Sequence, residues 1–350
     1  MLQSHLLVET VQLKTDDTLL MLNSAADPLT TLALQRLHVG TLTLAEDSIV
    51  TIQRFMQESR RASAAPPPRV RHVPFHDYIL HHAAANTDIA AMNLLYQPGN
   101  SWMLYGLHVG AYALRPGGQL YVTGARDRGI LTIAKRMQEL FGNVETLEIS
   151  KGHRVLRSLR CEQPTLESIA AAIPPLSIFA ATKLDEGTRM LLDALEVRVT
   201  DRALDLGCGV GHLGLHIARR ATKGYVTMVD ASLAAVAAAQ QAITESGLSN
   251  IRVLASDGIK ELQERHFTLV VTNPPFHQGG LQGTQTAEQF IREAAHVLAP
   301  RGRFYLVANR FLKYEPVLRS CFTLVEEVAG DSRYKVLRAM NLPGTRGQGG

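Results

Sequence analysis

The sequence predicts an α/β protein with two tandem domains, each a mainly parallel β-sheet with helices on both faces. Two observations indicate this fold. Short apolar runs alternate with helical stretches along the whole chain, as expected when each strand is followed by a helix that leads to the next parallel strand. The chain also matches itself when it is shifted by about half of its length. Its 350 residues are sufficient for two domains.

The internal match indicates a duplication, because four pairs of segments keep their order and a near-constant offset. The first three pairs share one offset, the one that sets Leu19 on Ala203, and the last pair departs from it by only three positions. The pairs are Leu19–Asp27 with Ala203–Gly211, Gly40–Glu46 with Gly224–Asp230, Leu114–Gly118 with Leu298–Gly302, and Val155–Arg157 with Val336–Arg338.

The duplication divides the chain into a domain over residues 1–160, a linker over 161–175 and a second domain over 176–350. The linker ends in two prolines, and Ala62–Pro68 is predicted as a surface loop in the first half. In the second half we predict an alanine-rich helix at Ser232–Ser246 and a C-terminal antiparallel hairpin. The predicted strands are Arg202–Leu206, Tyr225–Val229, Ile251–Ala255, Leu269–Thr272 and Arg303–Ala308, followed by Phe322–Val328 and Tyr334–Ala339 in the hairpin.

Composition narrows the class of protein. The net charge of +4 and the pI of about 9.0 are compatible with a polyanionic partner without requiring one. Three scattered cysteines form neither a disulfide framework nor a zinc pattern. No apolar stretch is long enough to span a bilayer, and the N-terminus has no secretory pattern. We therefore expect a cytoplasmic protein without a metal or a membrane partner.

A glycine-rich turn follows the first strand of the second half. Asp205–Gly211 contains Gly207, Gly209 and Gly211, which allow a sharp turn and the close approach of a ligand. Asp230 and Asp257 follow the next two strands, where their carboxylates can accept hydrogen bonds from ribose hydroxyls and an adenine edge. Dinucleotide enzymes share such turns. The opening Asp205 repels a pyrophosphate and favours a cationic ligand without phosphate.

Asn273-Pro274-Pro275-Phe276 continues directly from the predicted strand Leu269–Thr272. The prolines end the strand and fix the backbone, so that the Asn273 side chain and the Pro274 carbonyl can point the same way. These groups are two acceptors for the two hydrogens of an amino group, and Phe276 can stack on a planar base. The pattern predicts direct displacement by an amino nitrogen, which depends on positioning more than on acid–base chemistry.

The second half resembles the class I methyltransferases that modify guanine N2 in bacterial ribosomal RNA. The resemblance implies two tandem Rossmann-like domains, the first without cofactor and the second catalytic, with S-adenosylmethionine as the cofactor. It also implies ribosomal RNA or the small ribosomal subunit as the partner. The segments that carry it are Phe179 with Leu184–Thr188, Asp205–Gly211, Asn273–His277, Val307–Tyr314 and Arg333–Val336.

The resemblance assigns roles to individual residues. Catalysis is expected of Asn273, Pro274 and Phe276, and substrate contacts of Pro275, His277 and Asn309. Cofactor contacts are expected of Asp205, Gly207, Gly209, Gly211, Asp230 and Asp257. Adenine-N6 and protein-glutamine methyltransferases share the tetrapeptide, so both stay open as alternatives. A non-catalytic RNA-binding assembly factor is a third.

The first half has lost these motifs. Its turn reads Asn23–Asp27 without a glycine, Met21 stands where Asp205 opens the other turn, and Asn93–Tyr96 aligns with the tetrapeptide without prolines. We expect this half to bind no cofactor and to contribute to folding or RNA recognition, with Arg126 and Arg128 as substrate contacts. Its other basic candidates, which a solvated surface explains equally well, are Lys135, Arg136, Lys151, Arg154, Arg157 and Arg160.

Overall fold

The computed structural model describes residues 2–62, 69–162, 164–176, 184–275 and 281–341, without the side chains of 60–62 and 281–283. Three sequence predictions therefore lie outside the described residues: Phe179, the pair Phe276 and His277, and the loop Ala62–Pro68 apart from its first residue. The chain divides into two compact units, Met1–Ser177 and Ile178–Gly350.

The first unit contains a seven-stranded sheet with helices packed against it. Its strands are β1 (Thr18–Leu22), β2 (Thr41–Glu46), β3 (Arg69–Pro74), β4 (Thr87–Asn93), β5 (Leu114–Ala125), β6 (Glu145–Ser150) and β7 (His153–Leu159). Its α-helices are α1 (Leu2–Thr10), α2 (Pro28–Arg36), α3 (Ile49–Ala62), α4 (Tyr78–His81), α5 (Asn100–Ala113), α6 (Ile130–Phe141) and α7 (Leu166–Ala171). Helix α7 lies within the segment predicted as a linker.

The second unit repeats this arrangement. Its strands are β8 (Arg202–Leu206), β9 (Tyr225–Asp230), β10 (Ile251–Ala255), β11 (Phe267–Thr272), β12 (Leu298–Asn309), β13 (Leu324–Gly330) and β14 (Tyr334–Met340). Its helices are α8 (Glu186–Ala194), α9 (His212–Arg220), α10 (Leu233–Ser246), α11 (Leu281–Val297) and α12 (Glu315–Cys321). Every strand predicted for this half is present, as is the alanine-rich helix, for which Ser232 is the N-cap.

The two sheets have the same topology, which confirms the predicted fold class. The strand order is β3-β2-β1-β4-β5-β7-β6 in the first unit and β10-β9-β8-β11-β12-β14-β13 in the second. In each sheet the first five strands of this order are parallel, and the last two form an antiparallel hairpin.

The duplication is also visible in the element boundaries. Strands β1 and β8, β2 and β9, and β5 and β12 begin at positions separated by the same offset that sets Leu19 on Ala203. The starts of β4 and β11 depart from this offset by four positions, and those of the closing strands β7 and β14 depart by three. These offsets relate the positions of the two units residue by residue.

Both faces of the second sheet are buried, as expected for a parallel sheet covered by helices. Alternate residues of one strand enter different core clusters, because successive side chains of a strand point to opposite faces. On β11, Val270 packs in one cluster while Leu269 and Val271 pack in the other. The polar side chains that remain are therefore concentrated at the strand ends, where the motifs lie.

Candidate active site

The site lies at the carboxyl ends of β8 and β11, where the strand order of the second sheet reverses. Chain order runs from β8 outward to β9 and β10 and then returns to β11 on the other side of β8. Such a switch point leaves a crevice in which α/β proteins bind ligands. Leu206 and Thr272, the last residues of the two strands, are paired. The glycine-rich turn and Asn273 therefore leave the sheet side by side.

Backbone geometry explains the glycines of the turn. Gly209 and Gly211 have φ values of +54° and +90°, a region that side chains with a Cβ rarely adopt. The Asp230 carboxylate holds the turn from the neighbouring strand. Its Oδ2 accepts the Gly209 N–H at 2.9 Å, and its Oδ1 accepts the Ser232 N–H at 2.9 Å. Because a carboxylate oxygen has two lone pairs, an oxygen that accepts one backbone N–H can also accept a second donor such as a ribose hydroxyl.

Asp205 is a buried carboxyl group with an unpartnered oxygen. Its Oδ2 accepts the Gly214 N–H at 2.9 Å, whereas its Oδ1 has no hydrogen-bond partner among the described residues. Burial raises the pKa of Asp205 to about 7, and the nearby Asp230 adds to the shift. A positively charged ligand beside Oδ1 would favour the carboxylate form. The buried carboxyl group of Asp205 therefore fits the cationic, phosphate-free cofactor that the sequence predicts.

Asp257 and Cys208 complete the surroundings of the turn. Asp257 lies two residues beyond β10, is partly buried and forms an ion pair with Lys260. Burial raises the pKa of the Cys208 thiol well above its usual value, and the negative charge of Asp230 adds to this effect. A thiol held in its neutral form is a poor nucleophile. The geometry therefore favours Cys208 as a small filler of the turn.

Asn273 is held through one end of its amide. Its Nδ2 donates to Asp185 Oδ2 and to Thr188 Oγ1, both at 2.7 Å. Asp185 is also the N-cap of α8, accepting the N–H groups of Gly187 and Thr188. The Asn273 Oδ1 atom is buried and has no hydrogen-bond partner among the described residues. The site therefore presents one oriented acceptor beside the glycine-rich turn.

Asn309 lies at the end of β12, opposite Tyr334 of the hairpin. It lines a surface cavity of about 440 Å³ that Arg310, Phe311 and Arg333 also line. The Phe311 side chain is 77% exposed, and the Arg333 guanidinium lies 5.7 Å from the centre of the Tyr334 ring. An exposed aromatic ring beside cationic groups is a surface on which an unpaired base can stack.

In the first unit, side chains of the chain itself fill the place that corresponds to the cofactor turn. Asn23 adopts a left-handed φ of 45° where the other turn has Gly207. The Gln97 amide donates to the carbonyls of Leu22 and Asn23 at 3.2 and 3.1 Å. Asn23, Gln97 and the Asp230 equivalent Glu46 are all buried. These buried side chains therefore form hydrogen bonds within the chain around the equivalent turn.

The basic residues of the first unit separate into two groups. Arg126 and Arg128 form an exposed single helical turn after β5, and the Arg126 N–H donates to Gly152 O at 3.0 Å, next to Lys151 and Arg154. Among the described residues no carboxylate lies within ion-pair distance of these four side chains.

Three of the other basic candidates are engaged elsewhere. Arg136 pairs with Glu139, and Arg157 pairs with Glu145. Arg160 is buried, and its guanidinium donates to the carbonyls of Ala111 and Pro164 at 3.1 and 2.8 Å. A surface role for Arg160 is therefore wrong, because its charge serves to satisfy buried backbone carbonyls.

Known proteins are similar to this chain in sequence and in fold. Residues 173–338 match the family model of the methyltransferase small domain. The chain is 32% identical over 250 residues to the ribosomal RNA small subunit methyltransferase C of Hahella chejuensis, covering 67% of this chain and 72% of that protein. It is 34% identical over 231 residues to the Pseudomonas aeruginosa (strain LESB58) protein of the same name, covering 60% and 68%. The chain belongs to the ribosomal RNA small subunit methyltransferase C family.

A solved structure supports the same assignment. The T. thermophilus 16S rRNA N2 methyltransferase RsmC, determined in complex with AdoMet and guanosine, is 28% identical to this chain. Its TM-score is 0.80, and the match covers 98% of this chain and 92% of that one. This member of the methyltransferase C family is an S-adenosylmethionine-dependent methyltransferase.

Sequence reasoning missed the partners of Asn273 in this methyltransferase C chain. Leu184–Thr188 contributed to the family resemblance, but no role was predicted for Asp185 or Thr188. The available signal was the spacing of Asp185 and Thr188, which is typical of an N-cap and the third residue of a helix. That pattern marks a helix start without indicating what else the carboxylate binds.

We expect S-adenosylmethionine binding to release a proton from Asp205. The free carboxyl group has its pKa raised from 3.8 to about 7, so it is mostly protonated below that pH, and a bound cation favours ionisation. Affinity should therefore rise with pH, by up to about tenfold per unit, and level off above the raised pKa. Calorimetry at about pH 6 in buffers of different ionisation enthalpy measures the release. The Asp205→Asn variant should bind the cofactor without releasing this proton. If the parent protein also binds without proton release, Asp205 is not the group that ionises.

Within the described residues, no helix is long and apolar enough to cross a membrane, and no group of three or more His, Cys, Asp or Glu side chains is placed to hold a metal ion.

Proposed function

We propose that this chain methylates the exocyclic N2 of a guanine in small-subunit ribosomal RNA, in the cytoplasm. The observation that carries the proposal is the buried, unpartnered Oδ1 of Asn273 beside the glycine-rich turn. An amide oxygen fixed at that place suits a substrate that brings an N–H donor. The choice of guanine N2 is supported by the names of the related proteins, one of which was solved with guanosine.

In the proposed reaction, Asn273 Oδ1 accepts one hydrogen of the N2 amino group and the Pro274 carbonyl accepts the other. These two bonds would orient the nitrogen lone pair towards the methyl group that is transferred. Phe276 would stack on the base, and Pro275, His277 and Asn309 would contact its surroundings. When bound, S-adenosylmethionine would supply the methyl group, whose bond to the sulfonium sulfur breaks as the bond to nitrogen forms, so that a neutral thioether leaves. The residues act by positioning, and no general base is needed for the displacement, because the methylated nitrogen can lose its extra proton to solvent afterwards.

The residues that would hold the cofactor are those of the turn and of the neighbouring strand ends. Gly207, Gly209 and Gly211 let the ligand approach the backbone. Asp230 would accept from the ribose hydroxyls, and Asp257 would contact the adenine edge. Asp205 supplies negative charge beneath the turn.

We also propose that the first domain, residues 1–160, binds RNA and no cofactor, and that residues 176–350 are the catalytic domain. Support for the missing cofactor site comes from the turn Asn23–Asp27, which has no glycine, and from Gln97, whose buried amide donates to the carbonyls of Leu22 and Asn23. Support for RNA contact comes from the basic surface, defined as Arg126, Arg128, Lys151 and Arg154. It lies at the same end of its sheet as the active site does in the second unit. Phosphate contacts favour such unpaired cations.

Reversing the basic surface to glutamate at all four positions should raise the KM for RNA and flatten its dependence on salt. Each phosphate contact contributes to the salt dependence of affinity, with a logarithmic slope of about −0.7 per contact for single strands. Cofactor affinity should stay unchanged. The matched control reverses Arg136 and Arg157, which already pair with Glu139 and Glu145. If the fourfold variant methylates RNA like the parent at every salt concentration, the basic surface faces solvent and does not contact RNA.

Product analysis tests the proposed function. The purified chain is incubated with S-adenosylmethionine carrying a labelled methyl group and, in separate reactions, with protein-free small-subunit ribosomal RNA or with assembled small subunits. The RNA is then digested to nucleosides, and the protein fraction is analysed for label. The expected product is N2-methylguanosine. If the product is N6-methyladenosine, the substrate is adenine instead of guanine. If label is found only in protein glutamine, the substrate is a protein. Cofactor binding without transfer to RNA or assembled subunits would indicate an assembly factor.

A further inference from the structure

The two units hold equivalent asparagines through the same end of the amide. Asn93 is the last residue of β4, and its counterpart Asn273 directly follows β11. Asn93 Nδ2 donates to Ser4 Oγ at 3.1 Å and to Asp27 Oδ2 at 2.7 Å. Asn273 Nδ2 likewise donates to a hydroxyl, that of Thr188, and to a carboxylate, that of Asp185. Each amide therefore has a fixed orientation, with its oxygen pointing the other way.

The oxygens of the two amides differ. Asn93 Oδ1 accepts two hydrogen bonds, from Gln3 Nε2 at 2.7 Å and from the Leu95 backbone N–H at 2.9 Å. Asn273 Oδ1 is buried and accepts none among the described residues. Leaving a buried acceptor without a partner costs about 1–3 kcal/mol. The difference between these two amide oxygens therefore requires a structural explanation.

The cause is found at two aligned positions. Gln3 is the second residue of α1 and aligns with Gly187, the second residue of the equivalent helix α8, which has no side chain to donate. The alignment of Asn93 with Asn273 likewise places Leu95 on Pro275, which has no backbone N–H. Both donors that saturate Asn93 are thus missing around Asn273, for two unrelated chemical reasons.

We infer that Gly187 and Pro275 are positioning residues that keep the Asn273 oxygen vacant for the substrate, while Asp185 and Thr188 set its direction. The second proline of the tetrapeptide thus has a role beyond stiffening the backbone, since it removes a donor that would otherwise compete with the substrate amino group. The inference rests on the proposed function, in which Asn273 Oδ1 binds that group. It predicts that returning either donor lowers kcat without changing cofactor affinity.

The test returns a donor and compares it with a side chain of similar size that has none. Gly187→Gln restores an amide donor, whereas Gly187→Met has similar length and no donor. A Cβ at Gly187 would lie 3.3 Å from the Tyr334 ring, a tight contact that both variants share. Gly187→Gln is expected to lower kcat about tenfold relative to Gly187→Met, with equal cofactor affinity and thermal midpoint. Gln3→Gly, which removes the equivalent donor in the first unit, should leave kcat at the parent value.

Pro275→Ala provides a second route, because it restores the N–H without adding bulk. It should also lower kcat, and the double variant with Gly187→Gln should be less active than either single one. Equal kcat values for Gly187→Gln and Gly187→Met would overturn the inference, since the effect would then be steric. So would parent-like activity of Pro275→Ala.

A crystal structure separates this inference from the proposed function. In the Gly187→Gln variant, the introduced side-chain nitrogen is expected within hydrogen-bond distance of Asn273 Oδ1, as Gln3 Nε2 is of Asn93 Oδ1. This contact is independent of which base is methylated. Its absence would refute the inference even if N2-methylguanosine is the product. Its presence in a chain that methylates another amino group would refute only the proposed substrate.

Discussion

Replacing Asn273 by alanine is expected to lower kcat about a hundredfold or more, which corresponds to about 2.7 kcal/mol of transition-state stabilisation. The variant loses one of the two acceptors proposed for the substrate amino group. It also leaves Asp185 and Thr188 without the donor that now joins them. Cofactor affinity should stay near that of the parent, because none of the turn contacts involves Asn273. Single-turnover kinetics with saturating cofactor measure the effect directly.

Asn93→Ala is the matched control. Asn93 makes several buried hydrogen bonds in the first unit, so the variant should lower the thermal midpoint. The folded fraction should keep the kcat of the parent, since we propose no chemistry in that unit. If the Asn273→Ala variant keeps nearly full activity, Asn273 does not have the role that the proposed reaction gives it.

Asp230→Ala is expected to weaken S-adenosylmethionine binding by about 1.5–3 kcal/mol, roughly 10–150-fold in Kd. The carboxylate is expected to accept from the ribose, and it already accepts the N–H groups of Gly209 and Ser232. Its removal therefore loses ligand contacts and frees the turn at the same time. Asp230→Asn keeps one oxygen acceptor and should fall between the variant and the parent. Calorimetry gives both the affinity and the number of sites, which we expect to be one per chain.

The control in the first unit is Glu46→Gln, because Glu46 holds its turn through the Ala25 and Ser48 N–H groups as Asp230 holds the other. Burial raises the pKa of Glu46 to about 7, so the neutral amide replaces a carboxyl group that is already partly protonated near neutral pH. Cofactor affinity should not change. Two equivalent cofactor sites in the parent, or a loss of affinity in this control, would show that the first unit also binds cofactor.

Much of the fold is predictable from sequence because it depends on local periodicity. The predicted strand Ile251–Ala255 coincides with β10, and the offsets found by self-comparison recur in the element boundaries. Turn chemistry is local as well. Gly209 and Gly211 need their backbone angles whatever surrounds them, so their motif is recognisable in the sequence.

The contacts that orient the site are not local. Asp185 and Asn273 are 88 residues apart, and only the folded chain shows that the N-cap of α8 also holds the amide of Asn273. Arg160 looks like any other basic residue in the sequence, yet its partners are the backbone carbonyls of Ala111 and Pro164. Burial of a polar side chain depends on tertiary partners, which periodicity does not specify.

The most direct measurement is mass mapping of 16S ribosomal RNA from cells with and without the gene for this chain. If the chain is a guanine-N2 methyltransferase of the small subunit, one guanosine should lack a methyl group in the RNA of the deletion strain. Expression of the parent should restore the methyl group on N2, and expression of Asn273→Ala should not. Identical methylation maps in the two strains, or a missing methyl group on an adenine, would contradict the proposed function.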